Sequence, residues 1–380
     1  MRLHFQTPNS TITLPLETSP TGHCIVAGRL GNQNQPAQFL LDTGASVMVL
    51  SPKAAERLAV RSLPGSVEVT GIGGTASGRN ARLERLTLGT LTLEDIPVVV
   101  LPFPELLGCE LILGYPFFEK LLVRLDTVGG LVTLAPPGKL SPQRGEQALP
   151  LVFEEHSGIP VVDARVDSIH GTFTIDTGSS GTVTLGAKFT QQHRLLERYP
   201  RSQEVFAAGV AGIERAKRVR AESFVFTDKG NKAREFALPR PLIELPMGLN
   251  SSDSTDRAGN IGMGFLSRFL LTFDYSKKRL HLSKSRDFTR SYPHNRAGFE
   301  TLPWGEKLLV RTVQPESPAQ EQGLVPGDEL IAADRFLLTA RVSSLRRLME
   351  QQPGTPLRLV IRRKSDGEQR ELTLTLRDLL

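Results

Sequence analysis

The chain has 380 residues, enough for two or three domains with cores of their own, so it is neither a peptide nor a lone module. With 39% hydrophobic and 23% charged residues it is an ordinary globular composition, and 34 Gly with 26 Pro imply many turns between short strands, hence mostly β structure. A net charge of +6 is too weak to imply nucleic acid, two cysteines exclude a disulfide framework or a Cys-rich metal site, and no run approaches the roughly 18 apolar residues of a membrane span.

Residues 1 to about 20 read as an extended lead-in, with Ile12, Leu14 and Leu16 alternating against Thr11, Thr13 and Pro15 and no apolar core of a signal peptide. His23 to Leu30, a turn at Gly31-Asn32-Gln33-Asn34 and Ala37 to Leu41 form a hairpin that arrives at Asp42-Thr43-Gly44-Ala45-Ser46. Ser51-Pro52 then opens a short helix, Lys53 to Leu58, with Ser as N-cap and Pro at the first helical position. Gly71-Ile72-Gly73-Gly74 is a glycine-dense hairpin tip and a first candidate flap. Leu111 to Gly114 precedes an apolar helical segment, Tyr115 to Leu122, and a closing strand pair around Gly129-Gly130. Pro136-Pro137-Gly138 through Gly145 is rich in Pro, Gly and charge, which places a boundary there.

The programme then repeats. Phe173-Thr174-Ile175 leads into Asp176-Thr177-Gly178-Ser179-Ser180 as Phe39-Leu40-Leu41 led into Asp42, 134 residues earlier. In each copy an apolar run delivers a carboxylate at its end, and Gly allows the turn that follows. Leu185 to Leu196 repeats the short helix, Ala208-Gly209-Val210-Ala211-Gly212 repeats the tip, and Ala221 to Thr227 is the returning strand. Aligning Leu113-Gly114-Tyr115 with Met263-Gly264-Phe265 puts extra residues into the second copy, around Asp228 to Asn231 and Asn250 to Asp256. A unit this long is no solenoid repeat; two similar lobes about a pseudo-twofold axis is the economical arrangement. From about Arg296 a third module begins, with strands at Lys307 to Val313 and Leu357 to Ile361, a capped helix after Ser317, a turn at Pro326-Gly327-Asp328 and an amphipathic helix over Ser343 to Gln352.

The doubled Asp-Thr-Gly, with an apolar-apolar-Gly and a short helix after each, resembles the retropepsin-like and pepsin-like aspartic proteases over roughly residues 10 to 285. Ser317-Pro318-Ala319 and Gly323 to Asp328 are similar to a bacterial-type PDZ domain. The resemblance implies a mainly β protein in which two tandem β-barrel lobes, residues 1–140 and 141–290, form one bilobal unit. Residues 296–380 would follow as an α+β PDZ domain, a five- to six-stranded partly open barrel with two helices. It implies an aspartic endopeptidase whose Asp42 and Asp176 share a proton as a coupled dyad, one activating water and the other protonating the scissile carbonyl. Thr43 and Thr177 would brace the two loops, and Gly44 and Gly178 would let backbone amides approach the carboxylates. Gly71, Ile72, Gly73 and Gly74 in one lobe, with Gly209, Val210 and Gly212 in the other, would close over substrate as flaps. Because Ala45 stands where Ser179 stands, a Ser179 hydroxyl donating to Asp176 would make Asp176 the more readily ionised partner.

For the third module the resemblance implies an extended peptide added as a strand, its terminal carboxylate on the amides of Ala297-Gly298-Phe299 and its groove lined by Leu345 and Leu348. The partners expected are a protein or peptide substrate and a C-terminal peptide ligand, with no nucleic acid, no membrane span, no cofactor, no metal and a monomeric chain. Arg215, Lys217, Arg218 and Arg220 read as a solvated strand face, Arg362-Arg363-Lys364 as a hairpin edge, the seven histidines as surface or loop residues, and Trp304 as a packing residue. Cys24 and Cys109 read as two buried free thiols, with a single bridge geometrically conceivable. Compartment stays open: periplasmic or secreted if a leader has been removed, cytoplasmic otherwise. The rival reading is a catalytically silent peptide-binding scaffold that uses the cleft and the PDZ groove; intact Asp, Thr and Gly in both copies favour the enzyme.

Overall fold

The doubled pattern becomes two copies of one strand arrangement. The computed structural model describes residues 1–8, 10–19, 21–33, 35–71, 74–209, 212–227, 236–248, 257–338 and 343–380. In the first copy Ala37–Leu41 pairs in parallel with Leu111–Leu113, which lies antiparallel to Val49–Leu50, itself parallel to Leu91–Val100. In the second, Ile169–Ile175 is parallel to Gly259–Ile261, which is antiparallel to Val183–Leu185, itself parallel to Leu242–Pro246. Parallel strands are covered on both faces, which fits the continuous apolar runs Phe39-Leu40-Leu41 and Leu111-Ile112-Leu113 of the first copy. Phe39, Leu41, Leu111, Leu113, Phe173, Ile175 and Ile261 are all fully buried.

Each copy continues into a helix through a glycine, Gly114 before Tyr115–Lys120 and Gly262 before Met263–Leu266. A Cβ on Gly114 would lie 2.2 Å from the Val47 carbonyl oxygen and one on Gly262 2.4 Å from that of Gly181, so main chain fills the space a side chain would need. This corrects the sequence alignment: the counterpart of Leu113-Gly114 is Ile261-Gly262, two residues before Met263-Gly264. The first helix is Pro52–Arg57, with the Ser51 hydroxyl accepting from Ala54 N at 3.3 Å, as the Ser-Pro signal implies.

The two copies are sewn together by their closing strands. Leu122–Asp126 pairs with Phe269–Asp274, with Val123, Arg124 and Leu125 opposite Phe273, Thr272 and Leu271. Leu131–Ala135 and Ile12–Thr18 extend this sheet on one side, and Arg279–Lys284 and Gln147–Pro150 on the other. The seam is aromatic on one face: Phe118 meets Phe273 edge-on at 5.6 Å and stacks with Tyr275 at 5.7 Å, while Tyr275 meets Phe153 at 4.6 Å. Pairs of this kind each contribute about 0.5–1.5 kcal/mol beyond buried area.

The first flap hairpin, Arg61–Gly71 with Gly74–Leu88, is longer than the sequence implies, and Gly71 lies opposite Gly74. Ile72 and Gly73 fall outside the described residues. The second hairpin is Gln203–Gly209 with Gly212–Arg220; Val210 falls outside the described residues, and the returning strand precedes Ala221 rather than starting there.

By its internal contacts the chain forms two units, Met1–Leu196 with Phe206–Arg215 and Ala221–Arg290, and Glu197–Val205 with Ala216–Arg220 and Ser291–Leu380. In the second unit Phe299–Trp304, Lys307–Val313, Glu329–Ala333, Pro356–Arg362 and Gln369–Thr375 form one sheet in that order, with Phe336–Leu337 beside Glu329–Ala333. Pro318–Glu321 and Ser343–Met349 are its helices.

Several expectations for this unit are corrected. Leu345 and Leu348 pack into its core with Phe299, Leu308, Ala319 and Ile361, because their spacing of three puts both on the buried face, so neither lines an open groove. Arg362-Arg363-Lys364 stands at the end of the hairpin made by Pro356–Arg362 and Gln369–Thr375, as expected, but its bonds face inward as well. Asp328 is fully buried, and Arg363 Nη1 and Lys364 N donate to its oxygens at 2.8 and 3.0 Å, while Arg362 Nη1 donates to Glu329 at 2.8 Å. A buried carboxylate needs a paired cation, and the basic run supplies it. Trp304 is 67% exposed, and His294 is buried, as is His23 in the first unit.

Candidate active site

Asp42 and Asp176 each sit one residue past a central strand. Asp42 N donates to Leu113 O and Asp176 N to Ile261 O, both at 3.0 Å, so the neighbouring parallel strand fixes where each side chain leaves the sheet. The loops that follow interlock. Thr43 N donates to Thr177 Oγ1 and Thr177 N to Thr43 Oγ1, both at 3.0 Å; the Thr43 hydroxyl donates to Ile175 O and the Thr177 hydroxyl to Leu41 O, both at 2.7 Å. Both threonines are fully buried, so these bonds are shielded from water and each hydroxyl serves the opposite lobe.

The glycines complete the exchange. Gly44 N donates to Asp42 Oδ1 and Gly178 N to Asp176 Oδ1, both at 2.8 Å. A Cβ on Gly44 would stand 2.6 Å from Asp176 Cγ, and one on Gly178 2.2 Å from Asp42 Cγ. Each carboxyl therefore occupies the space left by the other lobe's missing side chain, and the two hydrogen-bond each other.

Burial and the adjacent Asp176 charge push the Asp42 carboxyl well above the usual carboxylate range, against the amides of Gly44 and Ala45. Burial raises Asp176 as well, but there a side-chain donor opposes it first: Asn260 Nδ2 donates to Asp176 Oδ2 at 2.8 Å. Asn260 lies opposite Thr174 in the strand pairing, the place that Ile112 takes opposite Leu40 in the first lobe. Among the described residues the side-chain amide that donates to Asp176 is that of Asn260, and Ser179 faces Asp176 through its backbone amide. Among the described residues the buried Asn260 Oδ1 has no partner, and the amide's nitrogen is held by the carboxylate.

His23 is another residue the sequence reading placed elsewhere. Its Nδ1 is 2.7 Å from Thr21 Oγ1, and burial holds its pKa below the ordinary histidine value, opposed by the Gly178 backbone of the second Asp-Thr-Gly loop. Cys24 and Cys109 are both free, and burial pushes each thiol up to about 12, which makes them poor nucleophiles. Among the described residues no group of His, Cys, Asp and Glu is arranged to hold a metal ion, and no helix is long and apolar enough to cross a membrane.

Residues 26–117, which hold the first Asp-Thr-Gly loop, match the family model described as aspartyl protease, and residues 309–363 match that of a PDZ domain. The chain thus carries an aspartyl protease domain followed by a PDZ domain. The second Asp-Thr-Gly lies outside the matched residues. No curated protein matches the sequence. Among solved structures, an aspartic proteinase from Irpex lacteus is similar over 74% of this chain and 99% of that one, at 17% identity and a TM-score of 0.48.

Proposed function

We propose that the chain is an aspartic endopeptidase in which Asp176 is the general base and Asp42 the general acid. The observation that carries this reading is the reciprocal loop pair, in which each lobe's Thr hydrogen-bonds the other lobe's loop and each carboxyl fills the space beside the other lobe's Gly. Two carboxyls in hydrogen-bond contact cannot both ionise cheaply, so they hold one proton between them. Asn260 donates to Asp176, and among the described residues no equivalent side-chain amide reaches Asp42, so the charge rests on Asp176 and the proton on Asp42.

Asp176 then takes a proton from water as that water attacks the scissile carbonyl, and Asp42 gives its proton to the carbonyl oxygen. Collapse of the tetrahedral species breaks the C–N bond as Asp176 gives its proton to the leaving amine and one hydroxyl of the species returns its proton to Asp42, which restores the starting charge. The PDZ domain assists by recognising peptide in substrate or partner.

The test is to incubate wild type and Asp42→Asn with unstructured protein and peptide pools from acid to neutral pH and read the products by mass spectrometry. Cleavage by wild type that falls by about 10²–10⁴-fold in the variant is expected from loss of the acid. Equal cleavage by both proteins, or none by a folded wild type at any pH, overturns the reading.

A further inference from the structure

The segment Asn295–Phe299 leads into the first strand of the second unit's sheet, and the amides of Ala297, Gly298 and Phe299 are those expected to hold a peptide's terminal carboxylate. Two of them are already in use. Asn295 Oδ1 accepts from Ala297 N and from Gly298 N, both at 3.0 Å. Its Nδ2 donates to Phe299 O at 2.7 Å and faces Glu300 Oε1 at 3.3 Å. The amide can point only one way, because two N–H groups face its oxygen and two oxygens face its nitrogen.

This is the bonding an incoming peptide end would supply: an oxygen for the loop amides and an N–H for the first strand carbonyl. The loop is built to present those amides. Gly298 has φ +81, and a Cβ there would fall 2.2 Å from that of Ser317, so only glycine fits. Asn295 is also clamped from behind. Gln203 Nε2 donates to Asn295 O at 2.5 Å, and Gln314 Nε2 donates to Ser202 O at 3.2 Å, which ties down the segment carrying Gln203. Gln203 is 3% exposed, and its Oε1 has no partner. Together with Glu204, Lys217 and Glu300, these residues border a cavity of about 410 Å³ beside the loop.

We propose that Asn295 is a resident stand-in for the last residue of a peptide ligand. It closes the carboxylate cradle of the PDZ domain, and a peptide with a free C-terminal carboxylate enters only by exchanging with it. The exchange is possible because hydrogen bonds to a carboxylate are roughly twice as strong as those to a neutral amide oxygen. An amidated C-terminus has no such advantage. The inference stands apart from the catalytic reading, since every residue in it belongs to the second unit.

The test uses the full chain carrying Asp42→Asn, so that peptides stay intact, and a random heptapeptide pool prepared with free-acid and with amidated C-termini. Replacing Asn295 by Gly should tighten binding of the free-acid pool at least about tenfold, the worth of one or two net hydrogen bonds, and leave the amidated pool unchanged. Asn295→Asp keeps an acceptor on the loop amides and adds negative charge, so it should bind free acids no better than wild type. Equal affinity of the Asn295→Gly variant and wild type, equal gain for the amidated pool, or tighter binding by the Asn295→Asp variant would each sink the proposal. If Asn295→Gly does not fold, the unmodified residue still decides. Saturating free-acid peptide should shift the Asn295 side-chain NH₂ and Gly298 amide NMR resonances together, and an Asn295 signal that stays put overturns the exchange.

Discussion

The two Asp-Thr-Gly loops share a main chain but not an environment. From Asp42 to Ala45 and from Asp176 to Ser179 the backbone hydrogen bonds match one for one, down to the 3.4 Å contact from Ala45 N to Asp42 O and from Ser179 N to Asp176 O. The strand beneath is where they part. Ile112 in the first lobe is a core residue packed with Leu40, Val49 and Val99, whereas Asn260 in the second reaches the carboxylate. Symmetry in the main chain therefore sets where the acids stand, and one side-chain amide distinguishes their surroundings.

The largest way to break this comparison is steric. Gly178→Ala would put a methyl group 2.2 Å from Asp42 Cγ, inside the contact the two lobes share. We expect peptide cleavage to disappear and stability to fall by about 1–3 kcal/mol, the usual cost of overpacking, as measured by urea denaturation. Loosening the brace comes next. Thr177→Val removes the donor to Leu41 O and the acceptor for Thr43 N at a site shielded from water. Unfolding should become easier by about 1–3 kcal/mol, and adding Thr43→Val should cost less than a second full increment, since both hydroxyls belong to one network.

Exchanging the distinguishing residue sharpens the comparison without dismantling it. Asn260→Leu gives the second lobe an apolar residue like that of the first, so Asp176 loses its side-chain donor and its pKa rises. The acid limb of the pH–kcat/KM profile should then move to higher pH, while Ser179→Ala should leave that limb where it is. A profile that moves for Ser179→Ala and not for Asn260→Leu would return the asymmetry to the hydroxyl.

The smallest effect concerns His23, buried near the Gly178 backbone of the second loop. Its folded pKa lies below the unfolded value of about 6.5, so folding favours the neutral ring. That contribution is complete above the unfolded pKa and is lost as pH falls towards the folded one. Wild type should lose more Tm than His23→Gln between neutral and mildly acid pH, and parallel Tm curves would rule the linkage out.

The doubled Asp-Thr-Gly, the Ser51-Pro52 helix start and the glycines after the short strands were legible because each is a local rule: a turn needs Gly, a cap needs a hydroxyl. Asn260 was not, because aligning Gly264 with Gly114 slid the second copy by two residues and hid its opposition to Ile112; only the strand register exposes the pair. The sheet between the lobes was invisible for a similar reason, since Leu122–Asp126 and Phe269–Asp274 each read as the end of its own repeat. Asp328 and Arg363 are 35 residues apart, and nothing local in a basic run announces a buried partner. Asn295 lay outside the loop residues picked for peptide capture, because a side chain that folds back onto its own amides has no distinctive sequence pattern.

The strand pairing between Val123 and Phe273 joins the two Asp-Thr-Gly lobes within one polypeptide. Dilution cannot separate them, so specific activity should not fall with enzyme concentration as it does for a site shared by two subunits. Covalent union also lifts a constraint on heredity. In a pair of identical subunits every mutation is made twice, once on each side of the axis, and an asparagine placed under one aspartate is placed under both. Here the axis relates loops encoded separately, so Asn260 can stand on one side and Ile112 on the other.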